Sequence, residues 1–202
     1  GGAFESRARL GRNFGYRDFI PVESMANNGY TWANYMGYED DIMLAPSEDW
    51  LKDHQGAPFL ATYVTATAHH DYKMPEGYQF KHFDDDMYKN KYLNAVNYVD
   101  AFVGKLIAQY KRLGLYDNTV FVFYGDHGEG FGEHGRNQHD ATIYQEGVRV
   151  PLFVLDPKRP GRTVAGPATL NDVVPTVLAS LGLTASGGSY RGLPIDKIPA
   201  DR

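Results

Sequence analysis

The sequence predicts an α/β fold, and three observations carry that expectation. Thr119-Val-Phe-Val-Phe-Tyr124 is a short, continuous apolar and aromatic run ended by Gly125, the pattern of a strand buried on both faces in the middle of a parallel sheet. Pro58-Phe-Leu-Ala-Thr-Tyr-Val-Thr-Ala66 is a second β-branched and apolar run, and Arg149-Val-Pro-Leu-Phe-Val-Leu155 a third, with Pro151 placing its start at an edge or bulge. Between the first two along the chain, Tyr92, Val96, Val99, Val103, Leu106, Tyr110 and Leu113 recur at helical spacing.

The remaining elements follow in chain order. Residues 1–50 are rich in Gly, Asn and aromatics without sustained periodicity, and Arg7, Arg9, Arg12 and Arg17 read as a solvated basic face. Ser47 before Glu48-Asp-Trp50-Leu predicts the cap of a short helix ending by Gly56. The acids Asp84–Asp86 precede the long helix, where negative charge favours an N-terminus. Lys105, Lys111 and Arg112 lie towards that helix's end, and Gly114 stops it. Leu115-Tyr-Asp-Asn118 is a tight turn into the central strand. Thr169 or Asp172 caps a last helix, Val173–Leu181, with Gly182 beyond it and a Gly-, Ser- and Pro-rich tail after that. No internal repeat or second hydrophobic unit marks a boundary, so residues 1–202 are expected to form part of one domain.

Composition excludes several classes. At 202 residues, 43% hydrophobic and 22% charged, the chain is long enough for a sizeable core. A net charge of −5 argues against a nucleic-acid partner, which requires a basic face. No run approaches the ~18 apolar residues of a membrane-crossing helix. The absence of cysteine excludes disulfides and thiolate metal ligands within these residues.

The chemistry concentrates at the strand exits. Asp126 and His127 follow Gly125 at the end of the central strand, where ligands of open α/β sheets bind. A carboxylate oxygen beside an imidazole nitrogen is a mixed O/N pair suited to a divalent metal of borderline softness. The loop beyond holds four glycines with Glu129, Glu133 and His134, and then His139. The run Pro58–Ala66 leads to Thr67-Ala-His69-His70-Asp71.

Gly-Asp-His-Gly-Glu, then Gly-Glu-His-Gly, then His139 and Tyr144-Gln-Glu146-Gly-Val-Arg149-Val-Pro151-Leu resembles the sulfatase branch of the alkaline phosphatase superfamily. That branch also contains lipoteichoic acid synthases and phosphoethanolamine transferases. The resemblance covers roughly residues 30–195. It implies an alkaline-phosphatase-like sandwich, a central mostly parallel sheet flanked by helices, of which only the second half is present. It assigns Asp126 and His127 to one divalent metal ion (Ca, Mn or Zn), with a second ion as an alternative. It assigns His69 and His139 to catalysis and to binding the sulfate or phosphate group, with His70 as the alternative in register to His69. Glu129 and His134 are expected to support the loop rather than bind the ion. Met36-Gly-Tyr-Glu39-Asp-Asp41 resembles a turn of the family with no catalytic role attached to it.

The implied activity is metal-dependent hydrolysis of sulfate esters. The alternatives are phosphoryl chemistry (phosphoglycerol or phosphoethanolamine transfer, phosphodiester or phosphonate hydrolysis) and a non-catalytic metal-binding module. The expected substrate is a small-molecule, glycan or lipid-linked ester, and the expected location the periplasmic or extracellular side of a membrane rather than the cytoplasm. No nucleophile in a family-like setting is found here, so the chain is expected to act with a preceding half of the same domain. Thr65, Thr67 and Thr142 are the residues to inspect if these residues act alone.

Overall fold

Helix α3, Met87–Arg112, begins where the sequence places a negative cap: the Asp86 carboxylate accepts from the Lys89 amide at 2.7 Å. Its buried face is Ala95, Tyr98, Phe102, Leu106 and Tyr110. The expected valine stripe is thus rotated by about one position, and Val96 is exposed. Aromatic rings remove more apolar area from water than valines, and they take the inward face. The computed structural model of the chain describes residues 6–139, 143–184, 186–187 and 191–201, so Thr142 lies outside the described residues. These fall into two compact units, Gly1–Leu115 and Tyr116–Arg202.

The first unit carries helix α1 (Arg7–Asn13), a short antiparallel hairpin of β1 (Trp32–Asn34) and β2 (Gly37–Tyr38), helix α2 (Leu44–His54) and α3. Helix α2 starts earlier than Ser47. A 3-10 turn over Asp40–Met43 runs directly into it, with Pro46 in its first turn where no helical N–H partner is needed. Ser47 is instead buried inside the helix, its hydroxyl 2.7 Å from that of Tyr63. Glu48 joins α2 to α3. Hydrogen bonds from Lys52 first, then Gln109 and Arg112, hold its carboxyl down to about 2.

The expected strand over residues 58–66 is not a strand among the described residues, because no neighbouring backbone completes a ladder with it. It is extended all the same. Phe59, Ala61 and Tyr63 are half-buried, while Leu60 and Val64 alternate with them at 67% and 61% exposure. Phe59 and Tyr63 pack against Tyr110 of α3.

The segment is held at its end by Asp40, which is 1% exposed. Its carboxylate accepts from the amides of Ala66 at 2.6 Å and Thr67 at 3.3 Å, while its own amide donates to the Thr67 hydroxyl at 3.1 Å. Its neighbours bind α3: Tyr98 donates to Glu39 at 2.8 Å, and Asp41 pairs with Lys105.

The second unit holds β3 (Phe121–Tyr124), helix α4 (Gln145–Val148), β4 (Leu152–Leu155) and helix α5 (Val173–Ser180). The expected central, mostly parallel sheet is not seen among the described residues. Among the described residues both ladders are two-stranded and antiparallel, and β3 pairs with β4 in the register Phe121↔Leu155 to Tyr124↔Leu152. The chain between them doubles back, which brings β4 alongside β3 in the opposite sense. Nor is β3 buried on both faces, since Phe121 is buried and Tyr124 exposed.

Thr169 and Asp172 form a reciprocal capping box ahead of α5. Asp172 also accepts from the Leu193 amide, and the Thr176 hydroxyl from that of Ile195. Those two bonds tie the start of the 3-10 turn Ile195–Lys197 to α5. Lys158, Arg159 and Arg162 face Asn118, Asp156 and Asp196 respectively.

Replacing Asp40 by Ala strands the Ala66 and Thr67 amides and should cost about 3 kcal/mol of stability, read from urea unfolding. Burial raises the Asp40 carboxyl above its ordinary value, outweighing the hydrogen bonds that lower it. A raised carboxyl favours the fold below its unfolded value and loses that contribution as pH rises through its folded value. Asp40→Asn, which carries no proton to lose, should therefore compare better with wild type as pH rises from about 4 to neutrality.

Candidate active site

The turn after β3 places Asp126 and His127. Gly125 donates its amide to the Pro151 carbonyl at 3.2 Å, which keeps the strand ladder closed up to the residue before the pair. The Asp126 carboxylate is 87% exposed and accepts from the His127 amide at 3.0 Å. His127 Nδ1 lies 2.8 Å from the Gly128 carbonyl oxygen, which can only accept. Nδ1 therefore carries the proton, and Nε2 presents a lone pair 3.8 Å from Asp126 Oδ1.

That donor set fits a divalent cation. An imidazole whose far nitrogen donates to a backbone carbonyl is the usual arrangement of a metal-bound histidine. Two ligand atoms about 3–4 Å apart can share one ion at ordinary metal–ligand lengths. Among the described residues no group of three or more His, Cys, Asp or Glu side chains is placed to hold a metal ion, so the pair by itself offers two donor atoms.

His139 is brought against the pair. Its ring stacks on that of His127 with centroids 3.6 Å apart and planes at 19°. Its Nδ1 is 3.2 Å from Glu129 Oε1, a carboxylate only 7% exposed. Glu129 thus orients His139, and the loop between them returns on itself. Gly130 and Gln138 exchange two backbone bonds, and Phe131 bridges Asn137.

His134, near the loop's tip, has its Nδ1 2.6 Å from Glu146 Oε1 and its ring stacked 3.9 Å from that of Tyr144. The His134 bond, above all, lowers the Glu146 carboxyl from its ordinary value. Gly128 is pressed against α4: its amide donates to the Gly147 carbonyl at 2.8 Å, and a Cβ there would stand 2.0 Å from the Glu146 carbonyl oxygen.

His69 belongs to the first unit. Its Nδ1 lies 3.0 Å from the His70 carbonyl oxygen and so carries the proton, while its Nε2 faces the Tyr35 hydroxyl at 3.1 Å. The Tyr35 ring stands edge-on to it at 5.0 Å. His70 Nδ1 is buried with no hydrogen-bond partner. Thr67 is fully buried and hydrogen-bonded to Asp40, a poor setting for a nucleophile, and Thr65 is exposed.

Three residues escaped the sequence reading. Asp40 supports the segment that leads to His69, and its only signal was an acid run after Gly37-Tyr38. Tyr35 left no signal. Glu146 stood in the motif, but as an unassigned acid.

Lipoteichoic acid synthase 1 of Bacillus subtilis is 28% identical over 193 residues, covering 90% of this chain and 29% of that protein. An ulvan-active sulfatase of Formosa agariphila is 29% identical over 142 residues, covering 60% of this chain and 28% of that protein. The chain thus spans less than a third of the length of these relatives. The crystal structure of an alkaline phosphatase superfamily protein from Vibrio parahaemolyticus superposes with a TM-score of 0.72 at 20% identity, over 92% of this chain and 43% of that one. That likeness is one of fold: the chain takes the fold of part of that protein. The sulfatase family model matches residues 3–183, and on that match the chain belongs to the sulfatase family.

Proposed function

We propose that the protein containing this chain is a metal-dependent enzyme that cleaves sulfate esters. The observation that carries this reading is the Asp126–His127 pair, one carboxylate oxygen and one imidazole Nε2 at 3.8 Å with the far ring nitrogen already committed. Asp126 and His127 would hold the divalent ion. When bound, such an ion acts as a Lewis acid towards the non-bridging oxygens of the ester.

The chain's other residues handle protons and charge. Glu129 fixes the ring of His139 through Nδ1, and in the imidazolium form Nε2–H would donate to an oxygen of the anion or to the departing alkoxide. His69, with Nδ1 held by the His70 carbonyl, presents Nε2 beside the Tyr35 hydroxyl, two polar groups that would suit an anionic oxygen. The remaining metal ligands and the nucleophile would come from other parts of the whole protein, and an extracytoplasmic location fits lipid- or glycan-linked esters.

A second reading is phosphoryl transfer. The match to lipoteichoic acid synthase 1 covers 90% of the chain, against 60% for the ulvan-active sulfatase. Turnover of 4-nitrophenyl sulfate against 4-nitrophenyl phosphate and bis(4-nitrophenyl) phosphate by the full-length protein separates the two. Preference for the sulfate supports the first reading, preference for a phosphate ester supports the second, and turnover of none by metal-loaded protein rejects both.

In the same assay Asp126→Ala should lose several orders of magnitude in kcat and bind the divalent ion more weakly by calorimetry, with the thermal midpoint nearly unchanged, since the side chain is exposed. His139→Gln should lower kcat by about 10²–10⁴-fold while leaving divalent-ion affinity near wild type, because it removes a proton donor and not a ligand.

A further inference from the structure

Helix α4 touches the Asp126–His139 loop at its base and near its tip through two consecutive residues. At the base, the Gly128 amide, one residue past His127, donates to the Gly147 carbonyl at 2.8 Å. Near the tip, Glu146 Oε1 meets His134 Nδ1 at 2.6 Å. The stem of Glu146 passes beneath Gly130, whose Cβ would lie 3.5 Å from Glu146 Cγ. Its carboxylate is 13% exposed, and Tyr144 stacks on the imidazole it holds.

The His134 bond is not needed to close the loop. Residues 130–138 already form their own hairpin, through the paired Gly130–Gln138 bonds and the Gly132 amide on the Arg136 carbonyl. A hairpin that closes itself can still tilt about its base. Fastening both its base and a point near its tip to α4 removes that freedom.

We infer that Glu146 and His134 form a clasp that fixes the orientation of the Asp126–His127 pair, making both of them positioning residues. The inference rests on the reading of that pair as metal ligands given above. Neither residue touches the reacting atoms; they act by holding Gly128, and through it His127, in one place. The coupling is short: Gly128 is bonded to His127 and follows it directly, while Gly147 follows Glu146.

The test uses the full-length protein with Glu146→Ala, His134→Ala, the double variant, and Glu146→Gln, which retains an acceptor. Two quantities are read: Mn²⁺ affinity by calorimetry, and hydrogen exchange of a peptide spanning Asp126–Gly130 by mass spectrometry. Each alanine variant should weaken Mn²⁺ binding about 10–100-fold. Each should also speed exchange of that peptide about tenfold or more, with Glu146→Gln in between. The double variant should match either single one, because both remove the same bond.

Exchange and affinity within about twofold of wild type in both alanine variants, or losses that simply add in the double variant, would overturn the clasp. Circular dichroism separates these outcomes from loss of the fold; if Glu146→Ala does not fold, Glu146→Gln and His134→Ala decide the matter by the same readings. A wild-type protein that binds no Mn²⁺ or other divalent ion would remove the metal reading. Exchange of the Asp126–Gly130 peptide would then decide the clasp by itself.

Discussion

Inside the first unit a carboxylate with 1% of its surface exposed, that of Asp40, faces two backbone amides and leaves the Pro58–Ala66 segment little choice of position. Burying a charge is costly unless hydrogen bonds replace the lost water, and here the amides of Ala66 and Thr67 replace it in part, burial still raising the carboxyl. The extended segment has no ladder of its own, so its backbone depends on side chains for partners. Asn34 adds one by donating to the Ala66 carbonyl at 2.7 Å. His69 stands three residues beyond that anchorage, and its amide closes a turn onto the same carbonyl at 3.0 Å. The placement of the imidazole therefore begins with an acid in a different part of the chain.

The second unit solves the corresponding problem with backbone rather than buried charge. Loop and helix approach so closely around Gly128 that carbonyl and Cα are in contact, and the amide there is satisfied by Gly147. Charged groups appear one layer out, as carboxylates on the ring nitrogens of His134 and His139. Each leaves the opposite nitrogen available, which sets tautomer and direction together.

Features encoded locally were legible in the sequence; features created by distant contact were not. The exit of β3 into Asp126–His127, the cap at Asp86, the stop after α5 and the capping pair Thr169–Asp172 all follow from residues within a few positions of one another. The face of α3 did not. Periodicity fixes a stripe only to within a position or so, and Tyr98 and Phe102 won it over the valines by packing. Ser47 looked like a cap because an acid-rich turn followed it, yet Asp40–Met43 had already started the helix. The strand expected over 58–66 shows the same limit: alternation of side chains was readable, but pairing depends on a neighbour that composition cannot reveal. At the candidate site, Asp126, His127 and His139 stood out by spacing. Glu146 acquires its meaning only when the chain folds back to bring it within 2.6 Å of His134, twelve positions away in sequence.

Gly128 has one more consequence, which concerns the way such a sequence can drift. Its backbone has no positive φ, so any amino acid could adopt the conformation; what is lacking is room. A methyl group would meet a carbonyl oxygen at 2.0 Å, and that oxygen belongs to Glu146, whose side chain holds the other end of the same loop. A lineage cannot exchange the glycine and then repair the fit with a smaller neighbouring side chain, because the obstacle is main chain. The position is therefore restricted to a single residue for as long as α4 keeps its place.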